Sequence, residues 1–136
     1  MIEAVLTKRH GALRLEVSGH AEAAPAGRDL VCAAVSALSW ACIGYVSELY
    51  GRGRLCRAPE LAAAKGSAFI CAQAKSEYAD ELNGAAGLVE AGLALLSENF
   101  PGNIKFETCR AQAGECRTAE FGAPSASTGR EEIYKR

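Results

Sequence analysis

The sequence predicts an α/β layer of the α+β kind, a mostly antiparallel sheet covered by two main helices in the order β-β-α-β-β-α-β. Three observations carry this reading. Two windows repeat apolar residues at helical spacing, Val31, Val35, Leu38, Cys42, Val46 and Leu49 in one, and Leu82, Ala86, Val89, Leu93, Leu96 and Phe100 in the other. Short segments around them alternate apolar and polar residues with period two. Glycine-containing turns punctuate the boundaries.

Taken in order, residues 2–8 read as a first strand and 13–18 as a second, with Leu13, Leu15 and Val17 on one face. Arg9-His10-Gly11-Ala12 between them suits a hairpin turn in which Gly11 takes positive φ, and His10 reads as a polar turn residue without chemistry. Residues 19–28, rich in glycine and alanine with one proline, favour neither helix nor strand and are expected to form a mobile loop. Asp29 is a good N-cap for the first helix, which Gly51 ends.

Residues 61–65 and 67–74 read as two more strands with a bend at Gly66. Ser76 is a candidate cap for the second helix, and Asp80 and Glu81 suit its first turns. Asn83-Gly84 weakens the early part, so the regular helix is expected to begin after it. Asn99-Phe100-Pro101-Gly102 ends it, and 104–109 read as the last strand. Residues 1–110 are thus one domain, and 111–136 are expected to be a polar, flexible tail.

The totals exclude several function classes. At 136 residues, 49% hydrophobic and 23% charged, the chain is one soluble domain able to bury a core. A formal net charge of −1 provides no basic field for direct nucleic-acid contact. No leader is read at the start, because residues 1–5 run straight into strand-like alternation, and the protein is expected in the cytoplasm. Six cysteines in that compartment are expected as free thiols, and with no C-x-x-C pair and only two histidines no metal or other cofactor is expected. Residues 30–47 carry no charge and approach membrane-spanning length. Their Ala, Ser and Cys content and the surrounding α/β pattern favour a buried helix, covered on one side by the sheet and on the other by a second helix or a second subunit.

The chemistry concentrates in residues 19–38. With Asp29 as N-cap, Cys32 is the third helical residue, beside rather than within the apolar stripe, on one line with Ser36, Ser39 and Ile43. A helix N-terminus favours thiolate, and with a cationic partner a cysteine pKa falls from about 8.5 to roughly 3.5–7.5. His20, in the preceding loop, is the candidate partner, as imidazolium at rest and proton donor to a leaving amine later. The N–H groups of the first turn are candidate oxyanion donors. Asp29, besides capping, is a candidate to orient His20, and Ser36 a candidate to support the thiolate. Residue chemistry alone leaves open the alternative that Cys32 is a small buried hydrophobe and His20 a solvated loop residue.

Gly19-His20-Ala21, followed by Gly27-x-Asp29-Leu30-Val31-Cys32-Ala33-Ala34-Val35-Ser36-Ala37-Leu38, resembles the signature of the ribosomal-processing cysteine protease family called Prp. The resemblance extends to the order of elements and to Gly87-Leu88, Gly92-Leu93 and Asn99-Phe100-Pro101, over residues 1–109. It implies Cys32 as nucleophile and His20 as its histidine, with Gly19, Ala21 and Gly27 in the loop that meets substrate. It further implies a homodimeric endopeptidase that removes the N-terminal extension of large-subunit ribosomal protein twenty-seven by cutting after an aromatic residue. The loop here has no aromatic residue at 22–26, and Leu30 stands where isoleucine is commoner. The reading from another class is a non-catalytic ribosome-assembly or protein-binding module that keeps both residues for structural reasons. A thiol-redox role is weaker, since no resolving cysteine is near Cys32 in sequence.

Overall fold

The computed structural model describes residues 1–19 and 29–110; His20, Ala21, Gly27 and the expected tail lie outside the described residues. Five strands and two long helices follow the expected order: β1 (Ile2–Arg9), β2 (Ala12–Ser18), α1 (Leu30–Gly51), β3 (Glu60–Ala64), β4 (Ser67–Gln73), α2 (Ala79–Asn99) and β5 (Ile104–Arg110). They form one sheet in the order β3-β4-β2-β1-β5. Every pairing is antiparallel except β1 with β5, which places Ile2 beside Ile104 and Leu6 beside Thr108.

Alternation decides which face is covered. Ile2, Ala4 and Leu6 of β1, Leu13, Leu15 and Val17 of β2, Leu61 of β3, and Ile70 and Ala72 of β4 are buried in one cluster with the inward stripes of both helices. Glu3, Glu16, Lys105 and Glu107 on the opposite face are exposed, so both helices lie on the same side. Each fully buried leucine, such as Leu6, Leu15, Leu82 and Leu93, contributes about 1.5–3 kcal/mol relative to exposure.

The β1–β2 hairpin turns at His10-Gly11 as expected, with Gly11 at φ 77°. Its backbone N–H donates to Asn83 Oδ1 at 2.8 Å, while Asn83 Nδ2 lies 3.0 Å from His10 Nδ1. This tie explains one departure from expectation. The second helix does not wait until after Asn83-Gly84 but runs unbroken from Ala79 to Asn99. With its side chain held by the hairpin, Asn83 does not compete for the helix backbone.

Ser76 does not cap α2 either. It opens a short 3₁₀ turn, Ser76–Tyr78, and Tyr78 occupies the N-cap position without a side-chain cap bond. In α1 the buried stripe is Val31, Val35, Ser39, Cys42, Ile43, Val46 and Leu49. Leu38, expected inside it, is half-buried and faces α2, where a β-carbon built on Gly92 would lie 2.8 Å from Leu38 Cδ1. Phe100, expected on the α2 stripe, is the C-cap and is exposed.

Candidate active site

Asp29 is the N-cap of α1. One oxygen, Oδ1, accepts the backbone N–H of Val31 at 3.0 Å and of Cys32 at 3.1 Å, and the Asp29 carbonyl accepts from Ala33 N–H at 3.1 Å. Cys32 is therefore the third helical residue, as read from sequence. Of the first-turn N–H groups read as candidate oxyanion donors, those of Val31 and Cys32 donate to the Asp29 cap.

Cys32 is half-buried and lines a cavity of about 360 Å³ under the N-terminal half of α1. Ile2 and Val17 of the sheet, Val35, Ser36, Ser39 and Trp40 of α1, and residues 63–68 of the β3–β4 hairpin complete its wall. The helix supplies the thiol from one side, and the hairpin, a non-local element, supplies the other. Ser36 is exposed and lines the same cavity one turn beyond the thiol.

Gly19 is also in this wall, and there its residue type is dictated by the backbone. It has φ 91°, donates its N–H to the Gly66 carbonyl at 2.9 Å, and would place a β-carbon 2.3 Å from the Met1 carbonyl oxygen. The chain thus leaves β2 through a point pinned to both the N-terminus and the β3–β4 turn. Of the sequence-derived residues, the structure brings Gly19, Cys32 and Ser36 to one cavity, with Asp29 capping the helix that carries the thiol. His20, Ala21 and Gly27 are not among the described residues.

The other described cysteines differ from Cys32. Cys42 is buried, and desolvation pushes its thiol up to about 12; Cys71 is buried in β4, with its pKa likewise raised by burial. Cys56 and Cys109 are exposed on elements away from the cavity. The cavity residues that local sequence patterns do not single out are Trp40 and the hairpin segment 63–68. Ser39 stands on the Cys32 line in sequence, but its burial depends on what packs over it.

The family model described as cysteine protease Prp matches residues 1–105. Among solved structures, the chain is similar to the essential ribosomal processing protease Prp from S. aureus in complex with a covalently linked product peptide, with a TM-score of 0.58 and 22% identity over 79% of this chain and 99% of that one. It is also similar to SMU.848 from Streptococcus mutans, with a TM-score of 0.57 and 24% identity over 82% of this chain and 96% of that one. The S. aureus protease in complex with a substrate peptide gives a TM-score of 0.54 and 22% identity over 79% and 99% of the two chains. At these identities the likeness is one of fold. No curated protein matches the chain.

Proposed function

The chain belongs to the cysteine protease Prp family and is a cysteine-type endopeptidase, and we propose that Cys32 is its nucleophile, His20 its general base and acid, and the N-terminal extension of large-subunit ribosomal protein twenty-seven its substrate. The observation that supports this most is the placing of Cys32: among the described cysteines it alone combines a helix N-terminus, partial exposure and a cavity shared with Gly19 of the Gly19-His20 motif.

The thiolate attacks the carbonyl carbon of the scissile peptide, forming the C–S bond and a tetrahedral oxyanion. Collapse breaks the C–N bond, and His20 gives its proton to the leaving amine. His20 then takes a proton from water, whose oxygen attacks the thioester, and the acid product leaves with Cys32 regenerated. Ser36 supports the thiolate from one turn further along, while Asp29 fixes the start of the helix and orients His20. The apolar part of the wall, Val17, Val35, Ala63 and Ala68, suits an aromatic or aliphatic side chain. The solved relatives from S. aureus, described with product and substrate peptides, agree with a peptide ligand in this fold.

A second copy of the chain covers the outward face of the helices. Trp40, Tyr45 and Tyr50 of α1 and Leu88 and Leu95 of α2 are all exposed, and an apolar groove of about 450 Å³ lies between the helices at Leu38, Ala41, Tyr45 and Leu88. By composition α1 is apolar enough to cross a membrane, but its stripe from Val31 to Leu49 is the core of the sheet-packed layer. The reading is therefore a homodimer in the cytoplasm.

The test is cleavage of a synthetic peptide carrying the extended N-terminal sequence of the ribosomal protein. Wild-type protein cuts it, Cys32→Ala lowers turnover to background, and His20→Ala lowers it nearly as far. Full activity in a folded Cys32→Ala protein would overturn the assignment of the nucleophile, and absence of cleavage by the wild-type protein would favour a non-catalytic assembly module. Sedimentation of wild type and Leu88→Glu tests the dimer, with the variant shifted to monomer.

A further inference from the structure

Ser39 is the one buried polar residue among those described, 5% exposed, and it stands in the wall of the cavity that holds Cys32. Its hydroxyl has no hydrogen-bond partner among the described residues. Other helix serines show the contrast: Ser47 donates to the Ile43 carbonyl at 2.7 Å and Ser97 to the Ala94 carbonyl at 2.9 Å. The cavity wall that Ser39 shares has an apolar part, Val35, Ala63 and Ala68, and a polar part, Ser36, Lys65 and Ser67, none of which bonds the Ser39 hydroxyl. The Ser39 oxygen is not among the sealed, unpartnered polar atoms of the described residues, so it opens on the cavity, where water or a group entering with the substrate completes its bonding.

Position and surroundings narrow what enters. Ser39 lies two turns along α1 from Cys32, about 10 Å at 1.5 Å per residue. A substrate held with its scissile carbonyl at Cys32 reaches Ser39 with a long side chain and not with a short one. The charged residue of the wall, Lys65, is exposed on the hairpin, so a charge carried to the depth of Ser39 would meet no opposite charge there. We propose that Ser39 is a specificity-determining residue whose hydroxyl bonds an uncharged polar group at the end of a long substrate side chain, tyrosine or glutamine, with the apolar stem packed on Val35, Ala63 and Ala68. This rests on the reading of the cavity as the protease site and adds what that site selects.

The experiment uses fluorogenic peptides in which each position upstream of the scissile bond is set in turn to tyrosine, phenylalanine, glutamine and norleucine. At one position wild type prefers tyrosine over phenylalanine, or glutamine over norleucine, by about tenfold or more in kcat/KM. Ser39→Ala brings that ratio close to one, and Ser39→Thr, which keeps the hydroxyl, retains a preference. A wild-type-like melting transition establishes that each variant is folded. Ratios that Ser39→Ala leaves unchanged at every position, or no polar preference in wild type, overturn the inference while the protease reading stands. A wild-type protein that cleaves none of the peptides overturns the protease reading and this inference with it.

Discussion

The Asp29 carboxylate accepts the backbone N–H of Cys32 at 3.1 Å, so the residue that starts the helix is bonded directly to the residue proposed as the nucleophile. The contact has two opposed effects. It satisfies orphan donors of the first turn, and it places negative charge where thiolate must form. Two substitutions separate them. Asp29→Ala costs about 1 kcal/mol of stability through loss of the cap, whereas Asp29→Asn keeps a cap oxygen and stays within a few tenths. Chemical denaturation measures both. Removing the carboxylate charge in Asp29→Asn speeds alkylation of Cys32 at neutral pH; slower alkylation would show that Asp29 activates the thiol instead.

Alkylation resolved by mass spectrometry orders the thiols. Cys32 labels first, at neutral pH or below, and Cys56 and Cys109, which are exposed, label more slowly. Cys42, with its thiol pushed up to about 12, and Cys71, raised by burial, stay unlabelled in native protein at pH 8 and react only on unfolding. Equal slow labelling of all the thiols would remove the basis for a reactive Cys32.

Gly19→Ala tests the pinned exit from β2. A β-carbon there meets the Met1 carbonyl oxygen at 2.3 Å in a backbone at φ 91°. The strain costs about 1–3 kcal/mol and displaces the start of the segment that carries His20. The expected outcome is a lower melting temperature together with a fall in kcat. Unaltered values for both would mean that the position relaxes freely.

Lys8 and Glu90 tie β1 to α2, and the hydrogen bond from Lys8 holds the Glu90 carboxyl below its ordinary value. A lowered folded-state pKa means that the stabilisation is present above the usual glutamate range and is lost as pH falls through the folded value. Glu90→Gln therefore lowers the melting temperature at pH 7, and the gap from wild type closes on acidification below about pH 4. A gap that does not change with pH would assign the effect to packing.

Local patterns foretell the elements well where one face dominates. Leu82, Ala86, Val89 and Leu93 are all buried at their expected spacing, and Leu13, Leu15 and Val17 share the core face. The first helix is harder, because it is apolar around most of its circumference. Spacing cannot choose between Leu38 and its neighbour Ser39, and the close approach of α2 at Gly92 decides it by taking Leu38. Asn83-Gly84 misleads for a related reason, since the hairpin contact that holds Asn83 comes from far away in sequence. At the site, Cys32, Ser36 and the Asp29 cap follow from helix periodicity and capping chemistry. The hairpin wall at 63–68 does not, because strand order depends on non-local pairing that no local pattern encodes.

The parallel pairing of the first and last strands sets a timetable. Ile2, which lines the cavity, is held beside Ile104, and its N–H donates to the Asn103 carbonyl at 2.9 Å. A chain emerging from the ribosome presents α1 and its thiol long before the strand that secures this wall has been made. Such distant contacts are the slow ones to form. The cleft is completed only when residues 104–110 have docked, so the making of the last strand, and not the appearance of the Cys32 thiol, sets when the nascent protein gains its finished cleft.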